Sequence, residues 1–451
     1  MPGLSGGRFL LAALCLVVGA HAVAAELAVE LPPGLQVPAA AQPGPDFDAE
    51  KATQAYLALL TPEQRARSDA YYEGGYWVSL WQFLIGLAEL FVILWLGWSA
   101  RLRDWAERRA RARWLQVLIY ALVLTPLLWA LTLPLSWYTD FIREHSYGLS
   151  NQDFGEWLWD AFKSMLVSAA LFAIVVVAVY SFVRRSGGRW WIRATAFAFA
   201  FMLFVFMITP VFVSPLFNKY QPLDAGPVRD AVLSLARANE IPTDNVKWFD
   251  ASKQTKRISA NVSGLFGTTR VSLNDNLLER TSLPEIKAVL GHEMGHYVLH
   301  HPLRHAFYYT LLFGVGFLLL ERLHQRALTR WGARWGVRER ADPAGLPLAL
   351  IILTTYFFVT APLTNRNIYV AEAEADLYGL NAAREPHGFA TVAMRLGAYR
   401  KLEPSAAEEF LLYDHPSGKR RVEMSMRWLA ENQALVMQQM AASPLPPTET
   451  R

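Results

Sequence analysis

The stretch VLGHEMGHYVLHH, residues 289–301, concentrates titratable side chains on one predicted helix next to long apolar runs. Within it, His292, Glu293 and His296 form the pattern H-E-x-x-H. Residues four apart lie on one face of a helix, so both imidazoles can reach one metal ion, and the glutamate is placed beside a water on that ion. The alternative is a pair of histidines that are satisfied at a helix end without a metal.

A metal held by two histidines needs a third protein ligand, and zinc then keeps a fourth position for water. Leu299 and Pro302 occupy the positions where the extended motif has a glycine and a third histidine. The single cysteine, Cys15, lies in the N-terminal apolar stretch. The third ligand must therefore come from another segment, and YVAEAEADLYGL, residues 369–380, is rich in carboxylates.

Two of these carboxylates, Glu372 and Asp376, are four residues apart and share a helical face, whereas Glu374 points away from that face. We expect Glu372 to be the third ligand. Asp376 would accept a hydrogen bond from the far nitrogen of a ligating imidazole and so fix its tautomer. The predicted cofactor is one zinc ion per chain, and the other interpretation of this segment is a solvated acidic helix end.

The composition indicates an integral membrane protein with an embedded polar part. Of 451 residues, 53% are hydrophobic and 18% are charged. The net charge of +4 comes from arginines beside the apolar runs, so no nucleic-acid partner is expected. Spans close to the ~20 residues that cross a bilayer are predicted at 76–98, 115–135, 161–183, 193–214, 306–320 and 345–363.

The N-terminus, residues 1–25, has the pattern of a targeting segment. Arg8 precedes an apolar core, and Ala22 and Ala24 give the small-x-small pattern of a cleavage site. We predict a cleaved signal peptide, with an uncleaved first transmembrane helix as the alternative. Residues 26–75 begin rich in proline and alanine and are predicted as a tether and pre-membrane segment, and 441–451 as a flexible tail.

The loops between the spans indicate orientation. Sixteen arginines lie in the loops 101–113, 184–193 and 322–340, whereas the loop 136–160 carries only Arg143 among five carboxylates. The positive-inside rule places the arginine-rich loops in the cytoplasm. The metal motif would then face the periplasm from a bacterial inner membrane.

The polar stretch 215–305 has a mixed helix and strand pattern. The fold class is therefore a mainly α-helical polytopic membrane protein with a small α+β domain. His300, His301 and His305 are expected at the membrane interface. The predicted elements are a helix at 226–239, strands at 246–250, 258–263 and 269–275, and a helix from 283 that continues into the fifth span.

Several longer stretches carry a resemblance to a known family. Together with H-E-x-x-H and Glu-x-x-Ala-Asp, they resemble the integral-membrane zinc metallopeptidases of the type 1 CAAX prenyl protease family, and more distantly the HtpX-type proteases. The resemblance covers about residues 75–430. The stretches are LPLSWYTDFIREHSYGLSNQ (133–152), VFVSPLFNKYQPL (211–223), SANVSGLFGTTRVSLNDNLL (259–278) and HPSGKRRVE (415–423).

The resemblance implies an architecture and a zinc centre. Six to seven transmembrane helices would enclose a chamber, four of them in 76–214 and two in 306–363. A gluzincin-type zinc protease domain would combine 215–305 with 364–440. The implied roles are general base for Glu293 and zinc ligand for His292, His296 and Glu372.

The same resemblance implies three further site residues. Asn261 would lie in the strand that lines the substrate groove. His415 and Arg421 would stand near the scissile carbonyl, where a developing oxyanion needs fixed donors or positive charge. The alternatives are a helix-cap neighbour for His415 and a solvated helix arginine for Arg421. The chain departs from the family at Ile368 and Tyr369, where a Ser-Arg pair is usual.

The predicted function is a membrane-embedded zinc metalloendopeptidase that acts on membrane or envelope polypeptides in a lipid bilayer. One alternative is a protease specific for C-terminal prenylated (CAAX) peptides, which would make the substrate lipidated. An alternative of another class is a non-catalytic membrane receptor or chaperone on a protease scaffold.

Overall fold

The computed structural model describes residues 31–264 and 269–442. The predicted targeting segment at 1–25 and the end of the predicted tail lie outside these residues. The helices are α1 (Ala49–Leu57), α2 (Pro62–Trp95), α3 (Trp98–Arg109), α4 (Arg113–Ser136), α5 (Arg143–Ser146), α6 (Phe154–Ser186), α7 (Trp190–Ile208), α8 (Pro227–Ala238), α9 (Asp275–Arg280), α10 (Leu283–Val298), α11 (His301–Trp331), α12 (Leu346–Ala383), α13 (Pro386–Leu396), α14 (Ala406–Leu412), α15 (Gly418–Glu431) and α16 (Gln433–Ala442).

Helices long and apolar enough to cross a membrane form five stretches of the described chain. The third stretch, Phe154–Leu216, contains both α6 and α7. Each of the six predicted spans therefore coincides with a helix, and the mainly helical polytopic fold class is confirmed. α2 begins at a capping box in which Thr61 and Gln64 bond each other's backbone N–H, with Pro62 in the first turn.

The three arginine-rich loops meet at one end of the helix bundle. Arg338 of the last loop pairs with Asp104 of the first at 2.7 Å. Trp190 in the second loop donates a hydrogen bond to Glu321, the residue before the third. These contacts place all three loops at the same end, as alternate loops of a membrane bundle should be.

We call residues 215–305 and 364–440 together the polar domain. The loop with a single arginine, residues 136–160, lies against it. The Asn151 side chain donates to the carbonyl of Ser252 at 2.7 Å, and Ser150 pairs with Thr255 in an isolated β-bridge. Arg257 of the polar domain forms a salt bridge with Glu144 at 2.8 Å. The polar domain is therefore attached to the loop that alternates with the arginine-rich ones.

The sheet of the polar domain has the strand order β1-β2-β4-β3. Its strands are β1 (Tyr220–Pro222), β2 (Val246–Phe249), β3 (Ala260–Ser263) and β4 (Arg270–Asn274). β2 and β4 are parallel and the other pairs antiparallel. β3 is an edge strand because, among the described residues, β4 alone pairs with it. The three predicted strands are observed, and the short β1 was not predicted.

The helix that carries H-E-x-x-H does not continue into the membrane as the sequence suggested. α10 ends at Val298, and α11 begins at His301. His300 between them adopts a left-handed conformation with φ of 54°. In a continuous helix Pro302 could not donate to the carbonyl of Val298 and its ring would clash with it, whereas a proline is tolerated in the first turn of a new helix, which accounts for the break.

The predicted tether folds onto the polar domain. Tyr56 of α1 is fully buried in a core cluster that also contains Phe389. The guanidinium of Arg395 donates to the carbonyls of Leu31 and Gly34 at 3.0 and 2.8 Å. The proline-rich composition suggested a free segment, but the apolar partners of these residues come from helices more than 300 residues later in the chain. We call residues 31–60 the N-terminal strap.

Candidate active site

Two helices that cross without side chains between them bring the candidate ligands together. A Cβ on Gly379 of α12 would lie 2.7 Å from the backbone N of His292, and a Cβ on Gly291 of α10 would lie 2.9 Å from the carbonyl O of Gly379. Both distances are too short for a side chain, so glycine is needed at this crossing. The close approach places the H-E-x-x-H face of α10 against Glu372.

The three predicted ligands form a compact triangle. The Nε2 atoms of His292 and His296 are 3.1 Å apart. Each lies 3.3 Å from a carboxylate oxygen of Glu372. Tetrahedral zinc with bonds of ~2.0–2.1 Å separates its ligand atoms by ~3.3 Å. The two nitrogens and the carboxylate, which contacts His292 through Oε2 and His296 through Oε1, therefore have a spacing compatible with a zinc ion.

Asp376 and Arg421 contact two of the three candidate ligands, His292 and Glu372. Asp376, which is 0% exposed, lies 2.7 Å from Nδ1 of His292 through one carboxylate oxygen. The other oxygen accepts a hydrogen bond from Nε of Arg421 at 2.9 Å. Nη2 of Arg421 donates to Glu372 at 3.2 Å. The guanidinium of Arg421 thus contacts two carboxylates of the site. It does not lie in solvent, as the alternative interpretation of this residue expected.

The electrostatics of the site favour a bound cation and a basic Glu293. Burial alone would lower the pKa of His292, but hydrogen bonds to Asp376 and Glu372 outweigh it and raise that pKa to about 10. These carboxylates therefore stabilise positive charge at this point. Burial raises the pKa of Glu293, and the imidazoles of His292 and His296 oppose the rise. A raised pKa makes the ionised carboxylate a stronger base.

His415 reaches the triangle from the C-terminal part of the chain. Its Nε2 is 3.2 Å from Glu372, and its Nδ1 is 2.7 Å from Asp414. Tyr369, which stands where the family usually has arginine, donates from its hydroxyl to Glu409 at 3.2 Å. Glu409 also accepts from the backbone N of Ser417 at 3.0 Å. Tyr369 therefore supports the loop that presents His415.

A cavity of about 170 Å³ lies at the ligand triangle. Its lining combines polar side chains, such as Glu293 and His415, with apolar ones, such as Phe389 and Leu396. Ala260 of the edge strand β3 lines it, and among the described residues Asn261 does not. Asn261 pairs with Ser272 of β4 one position further along β3. The side-chain carboxylate of Glu293 makes no hydrogen bond within the described parts of the chain, so it is available to a molecule in the cavity.

Sequence reasoning missed the position of His301. It was expected at the membrane interface, yet its side chain is 1% exposed and lies 2.8 Å from His296 through the two Nδ1 atoms. A spacing of five residues does not share a face on a continuous helix, so the pattern carried no signal for this contact. Glu374, which points away from the triangle, is 3.1 Å from His301.

A polytopic helical bundle with an H-E-x-x-H helix, a third carboxylate ligand and a small edge-strand sheet defines a membrane-embedded metallopeptidase. The chain belongs to peptidase family M48. Residues 222–428 match the model described as peptidase family M48, and residues 49–219 match the model described as CAAX prenyl protease N-terminal, five membrane helices. It is thus a membrane metalloprotease with a candidate His-His-Glu metal site.

Relatives and a solved structure agree with this assignment. The chain is 29% identical over 383 residues to the uncharacterized metalloprotease YhfN of Bacillus subtilis, covering 83% of this chain and 89% of that one. It is 32% identical over 185 residues to CAAX prenyl protease 1 of Saccharomyces cerevisiae, a match that covers 40% of each chain. The crystal structure of Ste24p from S. mikatae has the same fold, with a TM-score of 0.69 at 21% identity over 83% of this chain and 94% of that chain.

Proposed function

We propose that this protein is an endopeptidase that holds one zinc ion through His292, His296 and Glu372 and cuts membrane or envelope polypeptides. The observation that carries the proposal is the ligand triangle, whose atoms have the spacing of a tetrahedral zinc site at the wall of a cavity. When bound there, zinc would polarise the scissile carbonyl and lower the pKa of a water towards ~7.

The protein side chains around the cavity supply the remaining chemistry. The carboxylate of Glu293 takes a proton from the attacking water and delivers it to the leaving amine nitrogen. His415 also lines the cavity, with its Nε2 at 3.2 Å from Glu372, and can donate to the developing oxyanion. Arg421 keeps Glu372 and Asp376 in place through its two hydrogen bonds.

The edge strand β3 suits an extended polypeptide substrate. Ile258, Ser259 and Ala260 of this segment line the cavity, and within the described parts of the chain β3 has β4 as its one partner. A peptide bound beside β3 would gain backbone hydrogen bonds that do not depend on its sequence. Asn261 would contact the same peptide one residue further on. This mode of binding supports a protease with many substrates.

A prenylated peptide is the second candidate substrate. The observation that favours it is the 32% identity over 185 residues to a relative named CAAX prenyl protease 1. Such a substrate would need room for its lipid, and the helix bundle beside the polar domain offers many exposed apolar side chains. The two candidates differ in whether the lipid increases the cleavage rate.

The test is metal-dependent proteolysis by the protein purified in detergent. We expect about one zinc per chain by mass spectrometry, cleavage of an unfolded protein, loss of cleavage after chelation and its return with added zinc. His296→Ala should lose the metal because it removes one of three ligands, whereas Glu279→Gln, an exposed change on α9, should behave as the wild type. A wild-type protein that cuts equally well without zinc would contradict the proposal.

The same assay separates the substrates. A prenylated peptide and its unprenylated twin should be cut at similar rates by a general protease. Cleavage of the prenylated form alone, with the unfolded protein left intact, would favour the second candidate.

We also propose that the polar domain faces the periplasm from a bacterial inner membrane. The sixteen arginines of the alternate loops support this orientation. Two sets of contacts agree with it. One set joins the arginine-rich loops at one end of the helix bundle, and the other joins the polar domain to the loop 136–160, which alternates with them.

Cysteine labelling tests the orientation. In a Cys15→Ser background, Asp224→Cys places a thiol on the polar domain and Ala112→Cys places one in the first arginine-rich loop, both at exposed positions. With intact spheroplasts and a membrane-impermeant maleimide, we expect labelling at position 224 at once and at position 112 only after lysis. The reverse pattern would place the active site in the cytoplasm.

A further inference from the structure

A hydrogen-bonded series of three side chains, His296, His301 and Glu374, extends away from the metal site. Nδ1 of His296 lies 2.8 Å from Nδ1 of His301. Nε2 of His301 lies 3.1 Å from Oε2 of Glu374, and Glu374 also pairs with Arg304. His301 is 1% exposed and Glu374 is 42% exposed. This series of side chains therefore runs from the buried site to the protein surface.

Metal binding determines which atoms of this series carry protons. Nε2 of His296 faces Glu372 and His292, so it must be unprotonated to bind a metal. Its proton then sits on Nδ1, which donates to Nδ1 of His301. His301 must accept there, so its own proton sits on Nε2 and is donated to Glu374. Each nitrogen in the series thus has one role.

The two candidate ligand histidines consequently have different partners. His292 donates to Asp376, a buried carboxylate that Arg421 holds. His296 donates to a neutral imidazole instead. The helix break at His300 makes this contact possible. Residues five apart on a continuous helix are separated by about 140° around the axis, but the left-handed turn brings His301 back over His296.

We propose that His301 and Glu374 are positioning residues that fix the tautomer and ring orientation of His296 for zinc binding. The inference rests on the proposed zinc site and adds residues that are not ligands and do not touch the substrate. Partners of this kind are worth about 10- to 100-fold in metal affinity. His301→Leu, which removes both nitrogens, should therefore weaken zinc binding about 10- to 100-fold.

Conservative variants separate positioning from a merely structural role. His301→Asn keeps an acceptor close to the place of Nδ1, so it should recover most of the affinity that His301→Leu loses. Glu374→Ala should weaken zinc binding in the wild-type background and have no further effect in the His301→Leu background, because it acts through His301. His300→Asn is the matched control, since His300 is exposed and asparagine tolerates its left-handed conformation.

The measurement is the zinc dissociation constant of the full-length protein in detergent, by competition with a chromogenic chelator, beside the thermal midpoint of the metal-free protein. The proposal expects the affinity to fall in His301→Leu and to return in His301→Asn, with similar midpoints for all metal-free variants. If the wild type binds zinc and His301→Leu binds it equally well, or if Asn fails to rescue, the role of His301 is wrong. A wild-type protein that binds no zinc would instead overturn the proposed function.

Discussion

The Glu293→Gln protein will bind zinc as the wild type does and will cut polypeptides about 10²- to 10⁴-fold more slowly, the usual contribution of a general base. Glutamine has the size of glutamate but cannot accept the proton of the attacking water. Glu293 is not part of the ligand triangle, and it makes no hydrogen bond within the described residues whose loss would disturb the site. Catalysis should therefore fall while the metal stays.

The measurement pairs zinc content with the cleavage rate of an unfolded protein under single-turnover conditions. Glu279→Gln, the same chemical change at an exposed position of α9, should leave both quantities unchanged. A Glu293→Gln protein that retains zinc and cuts at the wild-type rate would show that another group takes the proton. Loss of zinc from the variant would show that Glu293 contributes to the metal site itself.

A single methyl group at Gly379 should have the second large effect. Gly379→Ala would place a Cβ 2.7 Å from the backbone N of His292, and neither helix backbone can move aside without opening the ligand triangle. Overpacking of this kind costs about 1–3 kcal/mol, occasionally more. We expect a lower thermal midpoint and weaker zinc binding, although position 379 never touches the metal.

Gly86→Ala is the matched control on the membrane helix α2. A Cβ there meets no atom within 4 Å. Alanine is favoured over glycine in a helix interior by about 1 kcal/mol, so this variant should keep its zinc and melt at the same or a higher temperature. The same substitution should therefore lower the thermal midpoint at position 379 and leave it unchanged or raise it at position 86. Equal behaviour of the two variants would mean that the crossing of α10 and α12 tolerates separation.

Much of the architecture could be predicted because it depends on short, regular patterns. The six spans follow from runs of apolar residues, and each coincides with a helix. The spacing of four in His292–His296 and in Glu372–Asp376 places each pair on one helical face, and the structure brings the two faces together. Their roles at a zinc ion stay predictions until the metal is measured.

The features that escaped prediction depend on contacts that no local pattern encodes. His301 reaches His296 only because the chain breaks at His300, and a spacing of five carries no helical signal. The N-terminal strap looked like a tether because its apolar residues follow no period. Its partners, such as Phe389, come from the far end of the chain. Arg421 was predicted at the site from the resemblance alone, with a solvated helix arginine as the alternative, and no local pattern indicated its contacts with Asp376 and Glu372.

The length of α12 would set the height of the proposed metal site relative to the bilayer. Glu372 follows the start of this helix at Leu346 by 26 residues, which is about 39 Å at ~1.5 Å per residue and about 37 Å with a typical tilt of ~20°. The hydrocarbon layer is only ~30 Å thick. With the first turn of α12 at one edge of that layer, the proposed ligand Glu372 would lie at the level of the lipid headgroups beyond the other edge. A membrane-anchored polypeptide would be trimmed within a few residues of its anchor, and a chain without one would have to descend to the bilayer surface to be cut.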